Sequence, residues 1–81
     1  MRLDLFLKET RLIKRRTIAK ELCDVGKVMI NDKVSKPSAD VKEGDVVTLK
    51  IGLSPISGIA HFEMRGKKEI PSIEQIDIAH A

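Results

Sequence analysis

The chain has 81 residues, with 15 Lys or Arg against 12 Asp or Glu and a formal charge of +3. That length allows one small hydrophobic core, and 42% apolar residues suffice to fill it. No apolar run is long enough to span a membrane, and Arg2, Asp4, Lys8 and Glu9 do not fit a secretory leader.

Residues 3–9 read as a short helix, opened by Leu3, Leu5, Phe6 and Leu7 without Gly or Pro. Thr10 and Arg11 break the pattern, and Leu12 and Ile13 lead on. A second helix is predicted from Lys14 or Arg15 to about Val25, with Ile18, Ala19, Leu22 and Cys23 as its buried face. Gly26 follows as a left-handed C-terminal cap. The period then changes to two. Val28, Ile30, Asn31-Asp32 and Val34 predict a tight hairpin, because Asn and Asp tolerate positive φ. Lys36-Pro37-Ser38 ends it, Val41 lies in a connector, and Glu43-Gly44-Asp45 makes a turn. Residues 46–51 are the strongest strand, 52–58 read as a loop, and 59–65 as one more strand. Pro71 interrupts residues 66–81, where Ile70, Ile73, Ile76 and Ile78 suggest a packed tail or a nascent helix. The expected class is α+β, with two short N-terminal helices packed on a small antiparallel sheet.

Charge is concentrated at one end. Arg2, Lys8, Arg11, Lys14, Arg15, Arg16 and Lys20 against Asp4 and Glu9 make residues 1–20 +5, while the other 61 residues sum to −2. Such asymmetry points to a polyanionic partner. Arg16 and Lys20 lie one helical turn apart, and the start of the second helix would offer free N–H groups, joined by the Thr17 hydroxyl, to a phosphate. Arg suits this task because its planar fork engages phosphate oxygens in pairs. With two Phe as the only aromatics, structured RNA recognised by shape fits better than stacked unpaired bases.

Several dispersed motifs in the first 52 residues match one family. Met1-Arg2-Leu3-Asp4, Phe6-Leu7 and the run from Arg11 to Ala19 resemble the S-four RNA-binding domain, also called the alpha-L motif. Gly26 to Asn31, Lys36-Pro37-Ser38, Val41 and Gly44-Asp45-Val46 continue the resemblance. The pattern looks most like the stand-alone bacterial members that act in ribosome-associated quality control, the factor P group, with small heat-shock RNA-binding proteins as relatives. The resemblance implies a cytoplasmic RNA-binding protein that is not an enzyme. It implies large-subunit ribosomal RNA and tRNA as partners on stalled large subunits, together with an alanine-tailing quality-control factor. Carried over by position, Arg2, Arg11, Lys14, Arg15, Arg16, Thr17, Lys20 and Lys36 would face RNA, and Asp4 would orient a nearby Arg. Asp32 departs from the family, which often has Gly there.

The expected organisation is an RNA-binding domain at 1–52, a strand and loop completing the sheet at 53–66, and a tail at 67–81. Cys23 and Phe6 read as core. One Cys with His61 and His80 cannot build a Cys/His zinc cage, so neither metal nor cofactor is expected. The chain carries no legible catalytic triad or phosphate-binding glycine loop, and neither a membrane nor a small-molecule substrate is expected. Two other readings remain: a heat-shock-type protein acting on ribosomal RNA or tRNA, and a protein-interaction adaptor anchored by Ile70, Ile73, Ile76 and Ile78.

Overall fold

The computed structural model describes residues 1–76. Helices α1 (Leu3–Glu9) and α2 (Arg16–Asp24) come first, followed by β1 (Val28–Ile30), β2 (Lys33–Val34), β3 (Val46–Leu49), β4 (Ile56–Arg65) and β5 (Lys68–Ile76). The strands form one antiparallel sheet in the order β2-β1-β3-β4-β5. The expected α+β class is therefore what the chain adopts.

Local chemistry explains the first half. The end of α2 forms a paired cap: Gly26 N–H donates to Cys23 O at 3.1 Å, and Lys27 N–H to Leu22 O at 2.9 Å. This geometry needs a left-handed residue, supplied by Gly26 at φ 77°. At the hairpin tip Asn31 and Asp32 have φ of 50° and 67°, so Asp32 takes the conformation for which Gly is the usual choice. Asn31 does more than turn the chain. Its side-chain oxygen accepts Val46 N–H at 2.9 Å, and its amide donates to Asp45 Oδ1 at 3.1 Å. Asp45 Oδ2 accepts Lys42 N–H at 2.9 Å, so Asp45 pins the hairpin to the 42–45 turn.

The core lies between the helices and the sheet. Leu3, Phe6 and Leu7 of α1 and Ala19 and Cys23 of α2 meet Val28, Val47, Leu49 and Ala60 of the sheet, closed by Ile13 and Val41. Phe6 and Phe62 form a tilted aromatic pair with centroids 5.7 Å apart. Phe6 and Cys23 are core, as the sequence predicts. Ile18 is not: it is 43% exposed, and Ala19 and Cys23 carry the buried face while Leu22 is half-buried.

The second half departs further from expectation. β4 begins at Ile56, so Ser57 and Gly58 are strand rather than loop. Residues 68–76 form β5, a strand paired along β4 where the sequence suggests a packed tail or a nascent helix. Ile73 faces the core, and Ile78 and His80 lie outside the described residues. Pro71 is compatible with a strand because of its register. It stands opposite Phe62, whose N–H donates to Glu43 Oε1 at 2.8 Å instead of across to β5. The missing N–H of Pro71 therefore falls on the outer edge of the sheet, where it breaks no ladder bond and blunts an exposed edge.

Gly58 is required by packing. A Cβ there would meet the Ile73 side chain, with Ile73 Cδ1 at 2.7 Å, and Glu74 O at 3.0 Å. Gly58→Ala is expected to destabilise the fold by about 1–3 kcal/mol through overpacking, measured as a lower urea midpoint at unchanged m-value.

Candidate nucleic-acid interface

The N-terminal segment is tied to the connector at residues 37–41. Leu3 N–H donates to Ala39 O at 2.8 Å, Asp4 N–H to Pro37 O at 3.1 Å and Val41 N–H to Met1 O at 2.8 Å. The Met1 ammonium meets Asp40 at 2.8 Å. These bonds bury Asp4, at 3% exposure, at the start of α1.

The Asp4 carboxylate makes four contacts with three partners. Arg2 Nε reaches Oδ1 at 3.2 Å and Arg2 Nη2 reaches Oδ2 at 3.3 Å, a two-point fork. Leu5 N–H donates to Oδ1 at 2.8 Å, and Arg16 Nε lies 3.5 Å from Oδ2. Arg2 flanks α1 and Arg16 opens α2, so one buried carboxylate joins the two helices. The guanidiniums themselves stay half exposed, at 51% and 47%. Burial pushes the Asp4 carboxyl up, but the Arg2 hydrogen bonds, the Leu5 N–H and the Arg16 charge outweigh it, and its pKa is lowered.

The other candidate residues surround this centre in different ways. Arg15 flanks the start of α2 in extended conformation without a side-chain cap, so the first N–H groups of the helix have no side-chain cap. Thr17 and Lys20 are exposed on α2, and Lys20 is one turn from Arg16. Lys36 is exposed next to Pro37, whose carbonyl anchors Asp4. Arg11 and Lys14 do not join Asp4; with Lys8 and Glu9 they line a separate cleft beyond the C-terminal end of α1. Sequence reasoning passed over Lys8, which looks like an ordinary basic residue in a last helical turn.

It also missed a cluster at the opposite end of the sheet. His61 Nδ1 lies 2.6 Å from Glu43 Oε2, and Nε2 lies 3.3 Å from Glu74 Oε1. Glu43 is held in turn by Phe62 N–H. The Glu43 bond, against some desolvation, raises the His61 pKa, with Glu74 adding to it. Cys23 is inert by contrast: burial first, then the charges of Asp4 and Asp24, pushes its thiol up to about 11.

The S4 domain matches residues 1–47, and the chain belongs to the S4 domain family. Among its relatives, the RQC P-site tRNA stabilizing factor of Bacillus subtilis is 58% identical over 52 residues, covering 64% of this chain and 60% of that protein. The protein of the same name from Listeria innocua is 43% identical over 70 residues, covering 85% and 76%. That from Helicobacter pylori J99 is 37% identical over 76 residues, covering 94% and 82%. The chain thus spans less than two thirds of the Bacillus protein. Among solved structures, the trimeric Heat Shock Protein 15 of Vibrio cholerae has a TM-score of 0.71 at 32% identity, covering 80% of this chain and 65% of that one.

Two pH effects follow from the shifted groups. The folded Asp4 pKa lies below the unfolded value of 3.8, so its contribution is complete above 3.8 and is lost as pH falls through the folded value. Asp4→Asn should cost about 1–3 kcal/mol at neutral pH and should flatten the acid limb of a urea-midpoint profile. The folded His61 pKa lies above 6.5, so its contribution is complete below 6.5 and is lost as pH rises through the folded value. His61→Gln should therefore lower the thermal midpoint at about pH 6 and leave it nearly unchanged at about pH 9.

Proposed function

We propose that the chain is a non-catalytic RNA-binding factor of ribosome-associated quality control. It binds ribosomal RNA and tRNA on large subunits that still hold a stalled nascent chain, and steadies the tRNA while the chain receives its alanine tail. Its partners are the large-subunit RNA, that tRNA and the alanine-tailing factor, in the cytoplasm. The RNA contacts lie in residues 1–52, in the alpha-L arrangement of α1, α2 and the hairpin. The later strands complete the sheet beneath them.

The observation that carries this reading is the pair of half-exposed guanidiniums ordered by buried Asp4. Two long side chains are held before any ligand arrives, so little rotamer freedom is left to lose on binding phosphate. Arg15, Thr17, Lys20 and Lys36 widen the surface, and the uncapped start of α2 adds backbone donors. The names of the relatives point to P-site tRNA as the ligand class. Binding of this kind is dominated by phosphate contacts, which position a protein and carry little sequence information. It accords with a factor that recognises the shape of a tRNA-bearing subunit.

A second reading rests on the likeness to Heat Shock Protein 15: a heat-shock-type protein acting on ribosomal RNA or tRNA outside alanine tailing. The adaptor reading loses one of its four anchors, since Ile73 is packed against the core.

Co-sedimentation with large subunits, with and without peptidyl-tRNA, tests the proposal. The wild type should favour tRNA-bearing subunits and weaken as salt rises. Arg2→Ala with Arg16→Ala should lower affinity at least tenfold, measured where circular dichroism shows the variant folded, because removing both charged partners of Asp4 also lowers stability. Equal binding to empty subunits would favour the heat-shock-type reading. Unchanged binding by the folded double variant would remove the Asp4-held pair as the site.

A further inference from the structure

We propose that Lys8, Arg11 and Lys14 form a second phosphate-binding subsite, separate from the Asp4-held pair, and that Arg11 occupies its backbone position for the sake of its charge. The inference rests on the RNA-binding reading and deepens it.

The backbone gives the first argument. Arg11 sits in the turn between α1 and α2 with φ 63°, in the left-handed region. Arg11 N–H donates to Lys8 O at 3.0 Å and Ile13 N–H to Leu7 O at 3.1 Å, so the turn is fixed by the chain on both sides. A long L side chain is an unfavourable choice there, whereas Gly adopts this conformation freely and Asn tolerates it. Strain retained at a position that a cheaper residue would relieve is a recurrent mark of function. Packing does not account for it, because Arg11 is exposed.

Charge gives the second argument. Lys8, Glu9, Arg11 and Lys14 line one cleft. Among the described residues Lys8 meets only Glu9, at 3.9 Å, and neither Arg11 nor Lys14 has a carboxylate within ion-pair distance. The helix dipole accounts for a basic Lys8 in the last turn of α1 but not for Arg11 and Lys14, which lie beyond it. Three cations thus converge with one acid among them, against their own repulsion, and an anion would relieve it.

Position gives the third. Arg2 flanks α1 at its start and Arg11 follows its end. At 1.5 Å of rise per residue Arg2 and Arg11 stand about 10 Å apart along the helix, so the two arginines offer two spaced grips on the RNA backbone.

Arg11→Gly separates charge from structure, because it removes the cation and relieves the backbone at once. The variant should keep or raise the thermal midpoint. Its affinity for tRNA-bearing large subunits should fall several-fold, and the slope of log K against log salt should shallow by about 1. Lys8→Gln with Lys14→Gln, on an unaltered turn, should shift the slope in the same direction by about 2. Wild-type affinity and slope in both would overturn the second subsite. If Arg2→Ala with Arg16→Ala still lowers affinity at least tenfold in that case, the RNA-binding reading stands without it. If that variant also binds normally, both fail.

Discussion

A single buried carboxylate joins the fold of this protein to its surface chemistry. Asp4 is nearly inaccessible to water, and an ionised group in that position is tolerable only if it is fully partnered. Its partners are the Leu5 N–H and two guanidiniums, one from the start of each helix. The interaction tethers the start of α2 to the start of α1. It also leaves both arginine side chains half exposed, where a ligand can reach them. Removing water from the acid and ordering the bases are the same event.

The rest of the chain maintains this arrangement. The connector at residues 37–41 pairs with residues 1–4 and closes the pocket around Asp4. Asp45 and Asn31 fix the hairpin to the turn that follows the connector. Ahead of the start of β3, the Glu43 carboxylate accepts the Phe62 N–H of β4, and its other oxygen engages His61. The sheet thus reaches the N-terminal site through side-chain bonds of Asn31, Glu43 and Asp45 to backbone and side chains, and through backbone bonds between the connector and residues 1–4.

Much of the first half was legible in the sequence because it is governed by local rules. The span of α1, the Gly26 cap and the Asn31-Asp32 turn each follow from a few adjacent residues. The pairing of Asp4 with an arginine was foreseen from the family resemblance, but the second arginine was not, since Arg16 is reached only after the helices pack. Ile18 was misjudged because period alone cannot say how wide a buried face the sheet will cover; small Ala19 and Cys23 take the contact. The second half was obscure for a nonlocal reason. Pro71 and Gly58 both argue against a strand when read alone. Each is accommodated by register: Pro71 turns its absent N–H outward, and Gly58 makes room for Ile73 on the neighbouring strand. Arg11 and Lys14 are expected from the resemblance, but Lys8 and the grouping of the three are not, because the positive φ at Arg11 and the convergence of three cations exist only in three dimensions.

The central claim is that Asp4 acts by ordering Arg2 and Arg16 for RNA, and the binding of Asp4→Asn to tRNA-bearing large subunits tests it most directly. The substitution removes a negative charge from the basic surface, so attraction by net charge alone would tighten binding. Ordering by the carboxylate predicts the opposite sign: weaker binding by a folded variant that is one unit more positive. Equal or tighter binding by the folded variant would contradict the account.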